Sequence, residues 1–348
     1  MPVHVYDFFC GCGGTSAGFR SAGLEIRIGI DVDSDAQRTF EANFPDAIFL
    51  RRNIYNLPVE TLAPYIVRDP NTVNLFCCCA PCQPFSRQNK NRDSTKQEAR
   101  LLYEFSNFVE YYVPELIFLE NVPGLQNLER GAGPFYDFVV FLKSLGYALD
   151  YDVIDSQDYG VPQRRKRLVL IASLLGEITL PPKTHGPGTR SPSYSTVWDW
   201  ISHLPPIEAG ETHQEVPNHR AAMLSDMNLR RIRATPPGGG RLDWPQELVL
   251  ACHNKEYTGH TDVYGRMHRD RPASGLTTRC ISLSNGRFGH PEQDRAISLR
   301  EAASIQTFTD DFVFFGSLNS MARQVGNAVP VLIAQIVGEH FITHSNPH

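Results

Sequence analysis

The chain has 348 residues, 41% of them hydrophobic and 20% charged, which is ordinary for a globular protein and enough for one large core plus a smaller second domain. No apolar run reaches the roughly 18 residues a membrane span needs, and the N-terminal MPVHVYDFF carries no basic, signal-like stretch, so a cytoplasmic location is expected. The formal net charge of −5 weighs against a uniformly basic nucleic-acid binder, although local distribution decides such binding.

In chain order, residues 4–9 predict a first strand, followed by a glycine turn and a helix over 15–22. Residues 25–30 predict a second strand, 34–43 a helix and 49–54 a third strand. Residues 73–79, apolar throughout, predict a buried fourth strand, and 116–120 a fifth. Residues 148–154 and 167–172 read as a closing pair. Strands alternating with helices indicate βαβ units, hence an α/β fold with a mostly parallel, Rossmann-like sheet covered by helices on both faces. After Leu180, prolines at 181, 182, 187, 192, 205, 206 and 217 interrupt any long element, and 236–240 is a second break. The expected division is therefore a first domain of 1–185 with 300–348, and a loop-rich second domain of 186–299 that includes a supporting segment at 271–290. A helix over 298–306 opens with a capping box, Ser298 followed by Glu301. A final helix over about 330–341 is expected to pack back onto the first domain.

Of the eight cysteines, Cys10, Cys12, Cys77, Cys78, Cys79 and Cys82 fall in two tight clusters, and Cys252 and Cys280 stand apart. Neighbouring cysteines on a strand point to opposite faces, which disfavours a disulfide framework. The stretch Asp7-Phe8-Phe9-Cys10-Gly11-Cys12-Gly13-Gly14 joins the first strand to the first helix, where open parallel sheets bind ligands. Asp31 follows 20 residues after Gly11, at the end of strand two, where an acid can hydrogen-bond ribose hydroxyls. Ser16 stands where the third glycine of a dinucleotide fingerprint belongs, so the ligand carries a ribose but need not carry a pyrophosphate. An adenosyl cofactor fits; a tight turn needing glycine is the alternative.

The stretch Cys79-Ala80-Pro81-Cys82-Gln83-Pro84-Phe85-Ser86 follows buried strand four. A cysteine in a proline-stiffened turn at a strand's carboxyl end is placed like a nucleophile. The same C-x-x-C spacing suits half a zinc site or a redox dithiol, but no further ligands have metal spacing, and Pro84 stands where a redox motif would open a helix. No metal is expected. Glu120 closes strand five at the same sheet edge, as a general acid or as an ordinary strand-end Glu. In Gln163-Arg164-Arg165-Lys166-Arg167, entering a strand, Arg165 and Arg167 share a face and are expected to point toward Cys82. Basic residues form two further clusters, Arg220, Arg230, Arg231, Arg233 and Arg241, then Arg266, Arg269, Arg271, Arg279 and Arg287. Each alone reads as a solvated face; together they suggest a nucleic-acid surface.

These blocks, in this order, resemble the DNA cytosine-C5 methyltransferase family. Gly29-Ile30-Asp31-Val32-Asp33, Gln157–Gln163, Arg271-Pro272-Ala273 with Leu276-Thr277-Thr278, and Arg323-Gln324-Val325-Gly326-Asn327-Ala328-Val329-Pro330 extend the match to all but about 176–265. The resemblance implies the class I fold that uses S-adenosylmethionine, a catalytic domain and a target-recognition domain. It implies that Cys82 adds to C6 of a flipped-out cytosine, that Glu120 holds or protonates N3, and that Arg165 and Arg167 orient the base. It also implies a cofactor site made of Phe9, Gly11, Gly13, Gly14, Asp31, Val32, Asn53, Ile54, Pro81, Asn327 and Val329. Gln83, Ser86 and Arg87 would touch DNA, with the polar loop 87–98 closing over it. Arg230, Arg231 and Arg233, with His253, Asn254 and Lys255, are candidates for reading the groove or contacting phosphates.

Asn53 stands where the family commonly has Asp, so weaker but intact adenine binding is expected. Cys79 and Ala80 replace the usual Gly and Pro, and Gly275 a frequent Thr. The alternative within this chemistry is a transfer-RNA cytosine methyltransferase of the same fold, whose Cys-Phe-Thr tripeptide is missing from this sequence. A catalytically idle DNA-binding module and a nicotinamide dehydrogenase fit less well, given Cys82, Glu120, Arg165 and Arg167 and the failed glycine fingerprint. The implied partners are double-stranded DNA and a cognate restriction endonuclease or other defence protein acting on the same DNA. A monomer with no membrane contact is expected.

Overall fold

The computed structural model describes residues 1–80, 94–123, 133–250 and 262–346, with side chains from residue 100 onward in the helix that begins at Ser94. It divides into two units. The first comprises Met1–Asp155, Lys166–Lys183 and Val329–His348; the second comprises Ser156–Arg165 and Thr184–Ala328.

The first unit is built on a seven-stranded sheet. In chain order its strands are β1 (Val3–Phe8), β2 (Glu25–Asp31), β3 (Ile48–Arg51), β4 (Val73–Cys78), β5 (Leu116–Asn121), β6 (Ala148–Asp155) and β8 (Lys166–Ser173), in the spatial order β3-β2-β1-β4-β5-β8-β6. β1, β4 and β5 are buried at every residue, as central strands covered on both faces must be. Their side chains alternate between two cores. Tyr6, Phe8 and Phe76 pack with Phe105 and Phe108 of α3 (Ser94–Tyr112) and Phe138 of α4 (Pro134–Ser144). On the other face Phe19 of α1 (Gly14–Ser21) meets Phe118 of β5 and Phe341 of α9 (Val331–Ser345). α9 lies so close to α1 that a side chain at Gly18 would run into Val331 and Ala334. The expected return of the last helix to the first domain is thus observed.

The sheet is mixed. β8 runs antiparallel to both β5 and β6. The closing pair is where it was expected, but period-2 patterning carries no information on direction. The third strand ends at Arg51, because Asn53 caps a 3-10 turn over Ile54–Asn56. The loop expected over 87–98 gives way to helix at Ser94. Leu318–Ser345 passes for a membrane-crossing helix by length and composition alone, although it holds no unbroken apolar run of that length. Its backbone breaks between Asn327 and Val331, and Ile333, Ala334, Val337 and Phe341 are buried as core residues.

The second unit has little regular structure. It holds α5 (Val197–Ile201), α6 (Asp226–Arg233), α7 (Leu299–Ile305), α8 (Leu318–Asn327) and a two-stranded ribbon of β7 (Gln163–Arg164) with β9 (Ala273–Ser274). It is larger than the expected 186–299: it takes in residues 156–165 and both α7 and α8. Loop backbone buried without ladder partners needs other donors, and arginines supply them. Arg300 donates to the carbonyls of Pro217 and Thr309 at 2.9 and 3.0 Å, and Arg266 to those of Thr235 and Ile232 at 2.7 and 2.9 Å. Arg295 forms a bidentate pair with Glu301 at 2.7 and 2.6 Å. Glu301 completes the expected capping box with Ser298 at the start of α7.

His290 lies beside this pair, and burial holds its imidazole down at about 4, with Arg295 and Arg266 reinforcing the shift and Glu301 opposing it. A histidine whose folded value lies below its unfolded value of about 6.5 leaves the unfolded chain binding more protons between those limits. The stability contribution is fully present above pH 6.5 and is lost as pH falls toward 4. Thermal unfolding of the second unit is therefore expected to weaken over that window, and a His290→Gln variant to flatten the dependence.

Candidate active site

The carboxyl ends of β1, β2, β4 and β5 lie along one edge of the first unit. At β1 the chain turns through left-handed φ values at Phe9 (60°), Gly11 (52°) and Gly13 (92°). A side chain at Gly13 would collide with Phe44 and Phe40, so that glycine is fixed by packing. Gly11 is different: no atom lies within 4 Å of where its Cβ would be. α1 starts directly after, with no side chain capping its N-terminus. Asp31 ties the turn down. Its Oδ2 accepts from Gly11 N at 2.9 Å and its Oδ1 from Val32 N at 2.7 Å and Asp33 N at 3.0 Å. Beside it Val32 is 61% exposed, an apolar face left open by the described residues.

An open glycine, a bare helix end and an uncovered apolar side chain fit a nucleoside with a polar tail. Phe9 is half-buried and packs against the core. Of the other residues expected at the cofactor, Ile54 is 5% exposed with its side chain in the core, and Asn53 accepts at its Oδ1 from Tyr55 N at 3.1 Å, as a turn cap. Asn327 is exposed at the end of α8, whereas Val329 is buried at 3% exposure. Pro81, Cys82, Gln83, Ser86, Arg87, His253, Asn254 and Lys255 lie outside the described residues.

The described thiols at this edge are poor nucleophiles. Burial pushes Cys10, Cys77 and Cys79 well above the usual thiol range and Cys12 to about 12. For Cys79 burial is the largest cause, and its Sγ lies 3.4 Å from Thr15 Oγ1.

Glu120, at the end of β5, is 7% exposed. Arg167, near the start of neighbouring antiparallel β8, brings its Nε within 2.9 Å of Glu120 Oε1. That oxygen accepts no aligned hydrogen bond among the described residues, so the contact is an ion pair with acceptor capacity left over. Asn121, which the sequence reading passed over, donates from Nδ2 to the carbonyl of Ala80 at 3.4 Å. It links the Glu120 strand to the residue before Pro81-Cys82.

Arg165 departs from expectation. It sits between β7 and β8, so strand alternation does not place it on a face with Arg167. It belongs to the second unit, is 4% exposed, and donates to the carbonyls of Leu276 at 2.9 Å, Gly326 at 3.0 Å and Ala328 at 3.3 Å. The fully buried Gln163 reinforces it, donating to Ile305 O at 3.1 Å and accepting from Leu276 N at 3.1 Å. Arg165→Ala would strand three carbonyls and is expected to destabilise the second unit by about 3 kcal/mol or more, measured by urea unfolding.

Residues 3–343 match the family model for the C-5 cytosine-specific DNA methylase. The chain belongs to the C-5 cytosine-specific DNA methylase family. It is similar to the Type II methylase M.HgiDII of Herpetosiphon aurantiacus, 40% identical over 97% of this chain and 95% of that protein. It is also similar to the Type II methyltransferase M1.HphI of Haemophilus parahaemolyticus, 33% identical over 97% of this chain and 86% of that one. Among solved structures it resembles a protein assigned as a DNA modification methyltransferase encoded within an E. coli prophage, with TM-score 0.74, 20% identity, and coverage of 98% and 99% of the two chains. The methylase is therefore an enzyme of the cytosine-C5 methyltransferase class, on the class I fold of methyltransferases that use S-adenosylmethionine.

The arginines expected at DNA divide in two. Arg230 and Arg233 of α6 are exposed, Arg233 lying 3.5 Å from Asp294. Arg231 is half-buried and partnered within the unit: it donates to Leu248 O and Asn228 Oδ1, both at 3.0 Å, and stacks over Trp244 and Tyr264. Arg266 and Arg287 are consumed likewise by backbone carbonyls.

Proposed function

We propose that this methylase transfers a methyl group to C5 of a cytosine flipped out of a specific double-stranded DNA sequence, through a covalent bond between Cys82 and C6. The observation that carries this reading is the pairing of buried Glu120 with half-buried Arg167 at the sheet edge that Asn121 ties to Ala80, the residue before Pro81-Cys82. Cytosine C5 is a weak nucleophile. Adding the Cys82 sulfur to C6 moves electron density to C5, provided N3 is held or protonated. Glu120 in its protonated form would donate to N3, its unpartnered oxygen could accept from the amino group on C4, and Arg167 keeps its carboxyl oriented. S-adenosylmethionine, when bound, supplies an electrophilic methyl group. Loss of the C5 proton and of the Cys82 sulfur then restores the aromatic ring. None of these atoms is reachable in a stacked duplex, hence base flipping.

In this reading Phe9, Gly11, Gly14, Asp31 and Val32 hold the cofactor, with Asn327 and Val329 near it, and no metal is required. The second unit would recognise DNA, with Arg230 and Arg233 as candidate contacts. The enzyme would act as a cytoplasmic monomer beside a restriction endonuclease of the same specificity. Asp31→Ala removes both the tie to Gly11 and the acceptor for ribose hydroxyls. Its KM for S-adenosylmethionine is expected to rise by about 10-fold or more with DNA affinity unchanged, as losing a hydrogen bond to a charged group costs about 1.5–3 kcal/mol. Bisulfite sequencing of plasmid DNA from cells expressing the chain tests the function. Protected cytosines in one sequence context are expected. Unmodified plasmid together with methylated transfer RNA would replace the DNA reading with the RNA one.

A further inference from the structure

Beneath the Gly11–Gly14 turn lies a carboxyl group that the chemistry above does not use. Asp7, next to last in β1, is 0% exposed and pairs in register with Gly29 of β2 and Cys77 of β4. Its Oδ2 accepts from the Ser16 hydroxyl of α1 at 2.7 Å. Its Oδ1 is buried and has no hydrogen-bond partner among the described residues. The titratable groups facing it are Asp31 at the end of β2, Cys10 and Cys12 in the turn, Cys77 of β4 and Cys79 just after it. Each of these is neutral or negative, and among the described residues no cation acts on Asp7. A buried carboxylate with one donor and no counter-charge is strongly disfavoured relative to the acid.

We propose that Asp7 is a positioning residue for the cofactor turn and works as a neutral acid. Tied to Ser16, it sets the first turn of α1 behind Gly11 and Gly14, and its ionisation loosens that turn and weakens cofactor binding. The inference rests on the reading of that turn as the S-adenosylmethionine site. Burial, with the charge of Asp31 adding and the Ser16 hydrogen bond opposing, pushes Asp7 up to about 7, which places its ionisation inside the working range of such enzymes. Asp31 holds the turn from Gly11, and Asp7 holds it from Ser16.

Calorimetric titration of S-adenosylmethionine into the full chain without DNA, from pH 6 to 9, tests this in the wild type, Asp7→Asn, Ser16→Ala and Asp31→Ala. The cofactor's own amino group ionises near pH 7.7–8.0 for every protein alike, so the difference between variants carries the result. Above pH 7 the wild-type affinity is expected to fall more steeply than that of Asp7→Asn, by up to about 10-fold per pH unit. Ser16→Ala is expected to weaken binding at pH 6 by roughly 3- to 10-fold. Parallel pH profiles in wild type and Asp7→Asn would overturn the proposal. If Asp7→Asn does not fold, carbon-13 carboxyl NMR of the wild type decides: a midpoint in the ordinary carboxylate range overturns it, and one near 7 supports it. Asp31→Ala separates the two levels. Unchanged affinity in that variant sinks the cofactor site itself, whereas lost affinity with parallel profiles sinks only the role of Asp7.

Discussion

Cys82→Ser is expected to lower methyl transfer by at least about 10⁴-fold while DNA affinity stays within about threefold. The size follows from the chemistry of the nucleophile. A thiol is a few per cent thiolate near pH 7, whereas a serine hydroxyl is weak unless a base activates it. The nearby thiols offer no substitute: burial holds Cys10, Cys12, Cys77 and Cys79 in their neutral forms. Serine is neutral and close to cysteine in size, so the substitution removes only the thiol. Single-turnover transfer of labelled methyl groups, alongside gel-shift measurement of DNA binding, checks both halves. Turnover within about 100-fold of wild type would reassign the nucleophile.

The second large effect is expected at Glu120. Glu120→Gln keeps size and hydrogen-bonding shape but removes the charge that pairs with Arg167 and the proton that can be shared with N3. General acid contributions of this kind are worth 10²–10⁴-fold, so kcat is expected to fall by about 10²- to 10³-fold. KM for DNA should change little, since Glu120 is itself buried and its partner lies on the adjacent strand. The melting temperature separates a chemical role from a structural one: a fall in kcat at unchanged melting temperature is expected. A fall in kcat matched by a fall in melting temperature would reduce Glu120 to a packing residue.

The sequence was most informative where chemistry and backbone coincide. The glycine turn, Asp31 and Glu120 all sit at strand ends, and strand ends in an α/β chain can be placed from hydrophobic runs alone. The capping box at Ser298 and Glu301 was legible because the two residues satisfy each other locally. Arg165 was not, because strand alternation applies only within one strand, and residue 165 falls between β7 and β8. The basic clusters divide for a related reason. A loop-rich unit lacks ladders to satisfy its carbonyls, so Arg231, Arg266 and Arg287 donate to them, and no local pattern distinguishes these from exposed Arg230. The direction of β8 and the helix α3 also escaped: the first is set by the connection through 156–165, the second begins in the polar run STKQEAR.

The central claim, a bond between Cys82 and C6, is tested most directly with duplex DNA carrying 5-fluorocytosine at the methylated position. Fluorine in place of the C5 proton blocks the elimination that frees the cysteine, so enzyme and DNA should remain joined after denaturation when S-adenosylmethionine is present. Mass spectrometry of the digested complex is expected to place the nucleotide on Cys82, with no adduct in Cys82→Ser. An adduct on another residue, or unlinked protein from an enzyme that methylates ordinary DNA, would contradict the account.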